Sequence, residues 1–93
     1  MDVGRVLVAR MKIRYFAWLR ARLGVDEETV DLPEHVQTVA DLVAWLRGRN
    51  SLFAEVLSDD RVVKVAVNQE FARAGDRVSA NDEVALFPPV TGG

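Results

Sequence analysis

The residues that usually carry chemistry are nearly all missing from this 93-residue chain. It contains no cysteine, which removes disulfides, thiolate nucleophiles and thiolate metal sites together, so any sulfur chemistry must draw its sulfur from elsewhere. His35 is the only histidine, and no glycine-rich phosphate loop or metal-ligand spacing occurs. No catalytic triad or histidine-based metal cluster can be assembled from such a set, and neither a metal nor a bound cofactor is expected. The carboxylate pairs Glu27-Glu28 and Asp59-Asp60 fall in predicted loops or at strand edges and, like His35, read as solvated residues. What remains is the end of the chain, Val90-Thr91-Gly92-Gly93. Two terminal glycines can be simple fraying. They also lack Cβ atoms, so they fit a channel too narrow for other residues, and they end in a carboxylate. That carboxylate resists nucleophiles until it gains a leaving group, which adenylation by a partner enzyme would supply.

A second feature is the parity of the aromatic residues. Met11-Lys12-Ile13-Arg14-Tyr15 alternates with period two, so if Ile13 and Tyr15 face inward, Phe16 follows on the opposite parity. In Glu83-Val84-Ala85-Leu86-Phe87, inward Val84 and Leu86 likewise leave Phe87 pointing outward, and Phe71 joins them after the Asn68-Gln69 turn. Exposed aromatics flanked by an arginine such as Arg20 are the usual centre of a protein–protein contact. The competing reading is that helices cover that face and these rings are ordinary core, and alternation alone does not separate the two.

The elements that must position these groups follow from periodicity. A strand at 11–15 leads into a short helix carrying Leu19 and Leu23, stopped by Gly24, and then a second strand, Glu28–Leu32, closed by Pro33. Thr38 and Asp41 mark the start of the main helix, whose Val39, Leu42, Val43 and Leu46 form one apolar stripe. Residues 52–57 make one more helical turn, and Val62–Val67 a β-branched strand. A short strand around Phe71 follows, then a last one at Glu83–Phe87 ended by Pro88-Pro89. This order gives an α+β domain, a mixed sheet with one main helix packed on one face. The β-grasp is the simplest such architecture, although composition and periodicity support α+β without selecting this topology. It sets the first and last strands side by side in the middle of the sheet, so that the tail leaves from the sheet's centre.

Composition agrees with one such domain, at 49% hydrophobic and 28% charged residues. The net charge of −2 argues against nucleic acid. The charge is uneven: residues 1–25 hold six basic residues against Asp2, and the rest thirteen acidic against six basic. A solvated face explains that asymmetry more simply than an anion-binding patch. No apolar run approaches bilayer length, and residues 1–10 lack a secretory core, so a soluble, cytoplasmic protein is expected.

From Met11 to Gly93 the chain resembles the small subunit of molybdopterin synthase, the MoaD-type sulfur carriers of the ThiS/MoaD ubiquitin-like family. The resemblance lies in Tyr15-Phe16-Ala17 with Arg20, in Ala66-Val67-Asn68-Gln69, and most specifically in Phe87-Pro88-Pro89-Val90-Thr91-Gly92-Gly93. It implies a β-grasp domain over 11–89, preceded by an extension at 1–10 and followed by a flexible Gly-Gly tail at 90–93. It further implies that an ATP-dependent activating enzyme adenylates Gly93 and a sulfur donor converts it to a thiocarboxylate. The tail, Val90 to Gly92 included, would then enter the large synthase subunit, within a heterotetramer, and deliver sulfur to cyclic pyranopterin monophosphate. On this resemblance the chain is a sulfur-donating rather than a catalytic subunit, ATP is used by the activating enzyme, and Phe16, Arg20, Phe71 and Phe87 contact partners. Carriers of other pathways (thiamine, cysteine or tRNA thiolation) and ubiquitin-like protein modifiers share the Gly-Gly end and remain alternatives.

Overall fold

Alternating residue types build the first strand, β1 (Arg10–Tyr15), in which Met11, Ile13 and Tyr15 are buried and Arg10, Lys12 and Arg14 exposed. The computed structural model describes residues 10–58 and 63–88. The strand starts at Arg10, one residue before the expected boundary, and the rest of the 1–10 segment lies outside the described residues, as do Pro89 and the 90–93 tail. Helix α1 (Trp18–Leu23) buries Leu19 and Leu23 and ends at Gly24, whose left-handed φ of 77° turns its amide back to the Arg20 carbonyl. The return strand β2 (Glu27–Asp31) pairs antiparallel with β1, one residue earlier in sequence than its pattern suggested.

Helix α2 (Val39–Arg47) opens with a capping box. The Asp41 amide donates to Thr38 Oγ1 at 3.1 Å, and Asp41 Oδ2 accepts from the amides of Thr38 at 3.2 Å and Gln37 at 3.0 Å. Those backbone bonds, the one from Gln37 foremost, hold the Asp41 carboxyl below its ordinary pKa. The expected stripe of Val39, Leu42, Val43 and Leu46 is buried. A second short helix, α3 (Ser51–Val56), is capped by Asn50 and adds Phe53 and Val56 to the same core.

Strands β3 (Lys64–Val67) and β4 (Glu70–Ala72) form a hairpin across Asn68 and Gln69, whose φ values of 52° and 72° fit a two-residue type I′ turn. The chain then crosses back past the start of α2, where the amides of Val39 and Ala40 donate to the carbonyls of Asp76 and Ala74, both at 2.9 Å. Val78 joins the core on this return, as its apolar character between two turns suggested. The last strand, β5 (Glu83–Phe87), lies parallel to β1 and antiparallel to β3, giving the sheet order β2-β1-β5-β3-β4. First and last strands thus sit together at the centre, and the buried residues of strands and helices form one cluster. This is the expected β-grasp. Among the described residues no helix is long and apolar enough to cross a membrane.

Candidate functional site

The same alternation that buries one side of the sheet fixes what the other side displays. Val84 and Leu86 of β5 are fully buried beneath the helices, so Glu83, Ala85 and Phe87 belong to the opposite, helix-free face. Register carries that face across the sheet: Arg14 pairs with Ala85, Ala85 with Ala66, and Ala66 with Phe71. The two small alanines leave a shallow floor. Phe71 stands beside it, 80% exposed, with its ring 5.7 Å from that of Phe87 and tilted by 54°. Phe87 is half-buried.

Phe16 completes the group from the other flank of β5. Its amide donates to the Leu86 carbonyl at 3.0 Å, which continues the β1–β5 pairing one residue beyond β1. Its ring is 41% exposed, and the Arg14 guanidinium lies 5.6 Å from the ring centroid, within cation–π reach. Ala17 follows with φ 57° and ψ −135°, a backbone conformation that costs a residue with a Cβ roughly 1–3 kcal/mol. This strained step joins outward Phe16 to α1. Phe16 and Phe87 thus lie outside the core as their strand parity predicts, and Phe71 joins them from beyond the Asn68-Gln69 turn, near the end of β5. Arg20 stands apart from these rings, exposed on α1 beside a shallow depression it shares with Gly24, Val25 and Asp26. Val90, Thr91, Gly92 and Gly93 lie outside the described residues. Sequence reasoning passed over Trp18, 39% exposed on α1, although its position two residues after Phe16 was a signal.

The charged residues of the first strand are paired on this face. Arg10 meets Asp31 at 3.6 Å, Lys12 meets Glu27 at 4.0 Å, and Arg14 meets Glu27 at 3.7 Å and Glu83 at 3.1 Å. Each exposed pair contributes at most about 1 kcal/mol. Together they neutralise the basic excess of β1, as a solvated face would. The open face thus carries most of its charges on β2 and β1, with Glu83 of β5 and Lys64 of β3 beside them, and gathers its apolar groups, Ala85, Ala66, Phe71 and Phe87, on β5, β3 and β4.

One expectation is corrected. Glu28 is not a freely solvated carboxylate: it accepts from the Tyr15 hydroxyl at 2.6 Å and takes a two-point contact from Arg49 at 2.8 and 3.0 Å. Alternation along β2 turns Glu27 to the open face and Glu28 to the helix side, opposite Ile13, where the turn between α2 and α3 brings Arg49 over it. The Arg49 guanidinium also lies 5.5 Å from the Trp45 ring and 5.1 Å from that of Phe53. Burial by itself would raise the Glu28 pKa, but the bonds from Arg49 and Tyr15 outweigh it and hold the carboxyl below its ordinary value. The bond to Glu28 raises Arg49, while Tyr15 is pushed strongly upward, first by burial and then by that carboxylate. The other pair, Asp59-Asp60, lies outside the described residues. His35 is exposed, and among the described residues no cluster of His, Asp and Glu side chains could hold a metal.

Known proteins are similar to this chain in sequence and fold. The molybdopterin synthase sulfur carrier subunit of Dictyostelium discoideum is 35% identical over 86 residues, spanning 90% of this chain and 96% of its own. That of Escherichia coli is 35% identical over 85 residues, 89% of this chain and 99% of its own. The crystal structure of small archaeal modifier protein 1 from Haloferax volcanii superimposes with a TM-score of 0.71 at 35% identity, covering 90% of this chain and 99% of that one. The match to the ThiS family runs over residues 13–93, from the middle of β1 through the glycine pair, and with that extent the chain belongs to the ThiS family.

Proposed function

We propose that this chain is the sulfur-carrier small subunit of a molybdopterin synthase, with Gly93 as the group that works. In the first step the Gly93 carboxylate oxygen bonds to the α-phosphorus of ATP on an activating enzyme, and pyrophosphate leaves. Sulfur delivered at the sulfide level by a donor then attacks the acyl carbon and AMP leaves, giving a C-terminal thiocarboxylate. The tail, Val90 through Gly92, inserts into the large synthase subunit, where the ionised sulfur attacks a carbon of cyclic pyranopterin monophosphate and displaces an oxygen substituent; water then cleaves the resulting thioester, leaving the sulfur on the pterin and restoring the Gly93 carboxylate. Acids, bases and anion-binding groups come from that subunit, while the carrier supplies the reacting atom and its position. One observation carries the reading: relatives about 35% identical over most of this chain are named as molybdopterin synthase sulfur carrier subunits. The aromatic half of the open face, at the end of β5, supports it as a surface for the large subunit and the activating enzyme.

The test is to incubate the purified chain with an activating enzyme, ATP and a sulfur donor and to weigh the intact protein. A mass gain of one oxygen-to-sulfur exchange is expected. Deletion of Gly92-Gly93 should abolish it without moving the thermal midpoint. A deleted chain that still accepts AMP and sulfur defeats the proposal, as does a full chain that never gains sulfur. Phe71→Asp should leave the fold intact, because the ring is exposed, and weaken association with the large subunit by several kcal/mol.

A second reading is favoured by one relative. Small archaeal modifier protein 1 of Haloferax volcanii is 36% identical over 88 residues. In that reading Gly93 is joined to lysines of target proteins, and tail-linked conjugates on a denaturing gel would select it.

A further inference from the structure

A cleft of about 330 Å³ lies away from the aromatic face, between one side of α2 and the edge of the β3–β4 hairpin. Its floor is apolar: Val39 and Val43 contribute from the helix, Val65 and its register partner Ala72 from the hairpin. The walls are held at a fixed distance at one end, where the amides of Val39 and Ala40 bond to the carbonyls of Asp76 and Ala74. Three cationic residues belong to its lining: Arg47 from the last turn of α2, Arg73 from just beyond β4, and Lys64 of β3, which the pairing with Phe87 sets on the open-face parity. Among the described residues neither guanidinium is paired with a carboxylate. Among the described residues Arg47 makes one side-chain hydrogen bond, a 3.4 Å contact to the Leu57 carbonyl, and the carboxylate of Asp76 accepts from the backbone amide of Arg73 at 2.8 Å.

We propose that this cleft is a second docking site, for an acidic peptide segment that places one large apolar side chain on the valine floor and its carboxylates against Arg47 and Arg73. Size and charge choose the occupant. The volume is at the lower limit of clefts that enclose a small molecule, which run from roughly 300 to 1,000 Å³. The valine floor suits an apolar side chain, and the charged remainder of its ligand meets the guanidinium groups of Arg47 and Arg73. Positive rim groups favour a segment that carries carboxylates. The valine floor lies on the helix side of the sheet, so a peptide held here and a partner on the aromatic face can bind together.

The test is a titration of the isotopically labelled full chain, followed by amide NMR shifts, with the blocked peptide acetyl-Asp-Glu-Leu-Asp-Glu-amide. Shifts gathered at Val43, Val65 and Ala72 are expected, with an affinity that falls as salt is raised. Arg73→Glu, at an exposed position whose side chain makes no hydrogen bond among the described residues, should weaken the peptide by about tenfold or more while leaving the remaining spectrum in place. A peptide with lysine in place of its acids should not bind. The proposal is overturned by an absence of shifts at millimolar peptide, by shifts on the aromatic face instead, or by equal binding of the lysine peptide. Octanoate producing the same shifts at the same concentration also overturns it, since the cleft would then hold a free amphiphile.

Discussion

The two faces of the sheet are built from the same five strands and obey different rules. On the helix side Met11, Ile13, Tyr15, Val84 and Leu86 are almost wholly buried, and their neighbours decide their identity through packing. On the open side the same strands show charges that pair with one another, Phe71 and Phe87 with rings in mutual contact, and Phe16 beside the Arg14 guanidinium. Burial accounts for the covered face and only in part for the open one. A ring as exposed as that of Phe71 adds little to folding, so what it is for must be sought outside the molecule.

The sharpest way to break this comparison is to truncate one residue on each face of β5 or its neighbours. Leu86→Ala should lose about 2–5 kcal/mol in urea unfolding, because it opens a cavity under the helices. A loss below 1 kcal/mol would mean the helix face is loosely packed. Glu28→Ala comes next, at about 1–3 kcal/mol, since it strips partners from the Tyr15 hydroxyl and Arg49 at the margin of the covered face. Ala17→Gly should move the other way, by about 1 kcal/mol, as glycine relieves the positive φ at a modest entropic cost. Phe71→Ser should change stability by no more than about 0.5 kcal/mol, and a larger loss would return Phe71 to the core.

The cluster at the margin also predicts pH dependence. The Glu28 carboxyl is held below its ordinary value in the folded chain, so its stabilisation is complete above that value and disappears as pH falls through the lower folded one. Glu28→Gln should flatten the acid limb of a stability profile. Tyr15 is shifted upward, so its contribution is complete below the ordinary phenol range and is lost above it. Tyr15→Phe should flatten the alkaline limb and leave the acid one less steep through the loss of its bond to Glu28.

Much of the covered face could be read in advance, because alternation in β1 and β5 and the four-residue stripe in α2 are local patterns set by burial. Gly24, Thr38 and the Asn68-Gln69 turn were legible for the same reason: each answers a demand made by its immediate backbone. Phe16 and Phe87 were legible only as exceptions to the parity of their own strands. The link from Glu28 to Arg49 was not, since it joins a strand to an interhelical turn 21 residues away, and an arginine after a helix reads as solvated until the chain brings a carboxylate beneath it. The strain at Ala17 was equally hidden, because alanine at φ 57° contradicts its own preference and is held there by the strand on one side and the helix on the other. The sheet order itself came from resemblance, since the same sequence of elements is compatible with other pairings.

The place of β5 between β1 and β3 has a mechanical consequence. A pull applied beyond Phe87 runs along the strand axis, and the hydrogen bonds to both neighbours carry that load in shear, all at once. An edge strand would instead peel away one bond at a time. A load arriving through Phe87 is therefore met by two neighbouring strands together.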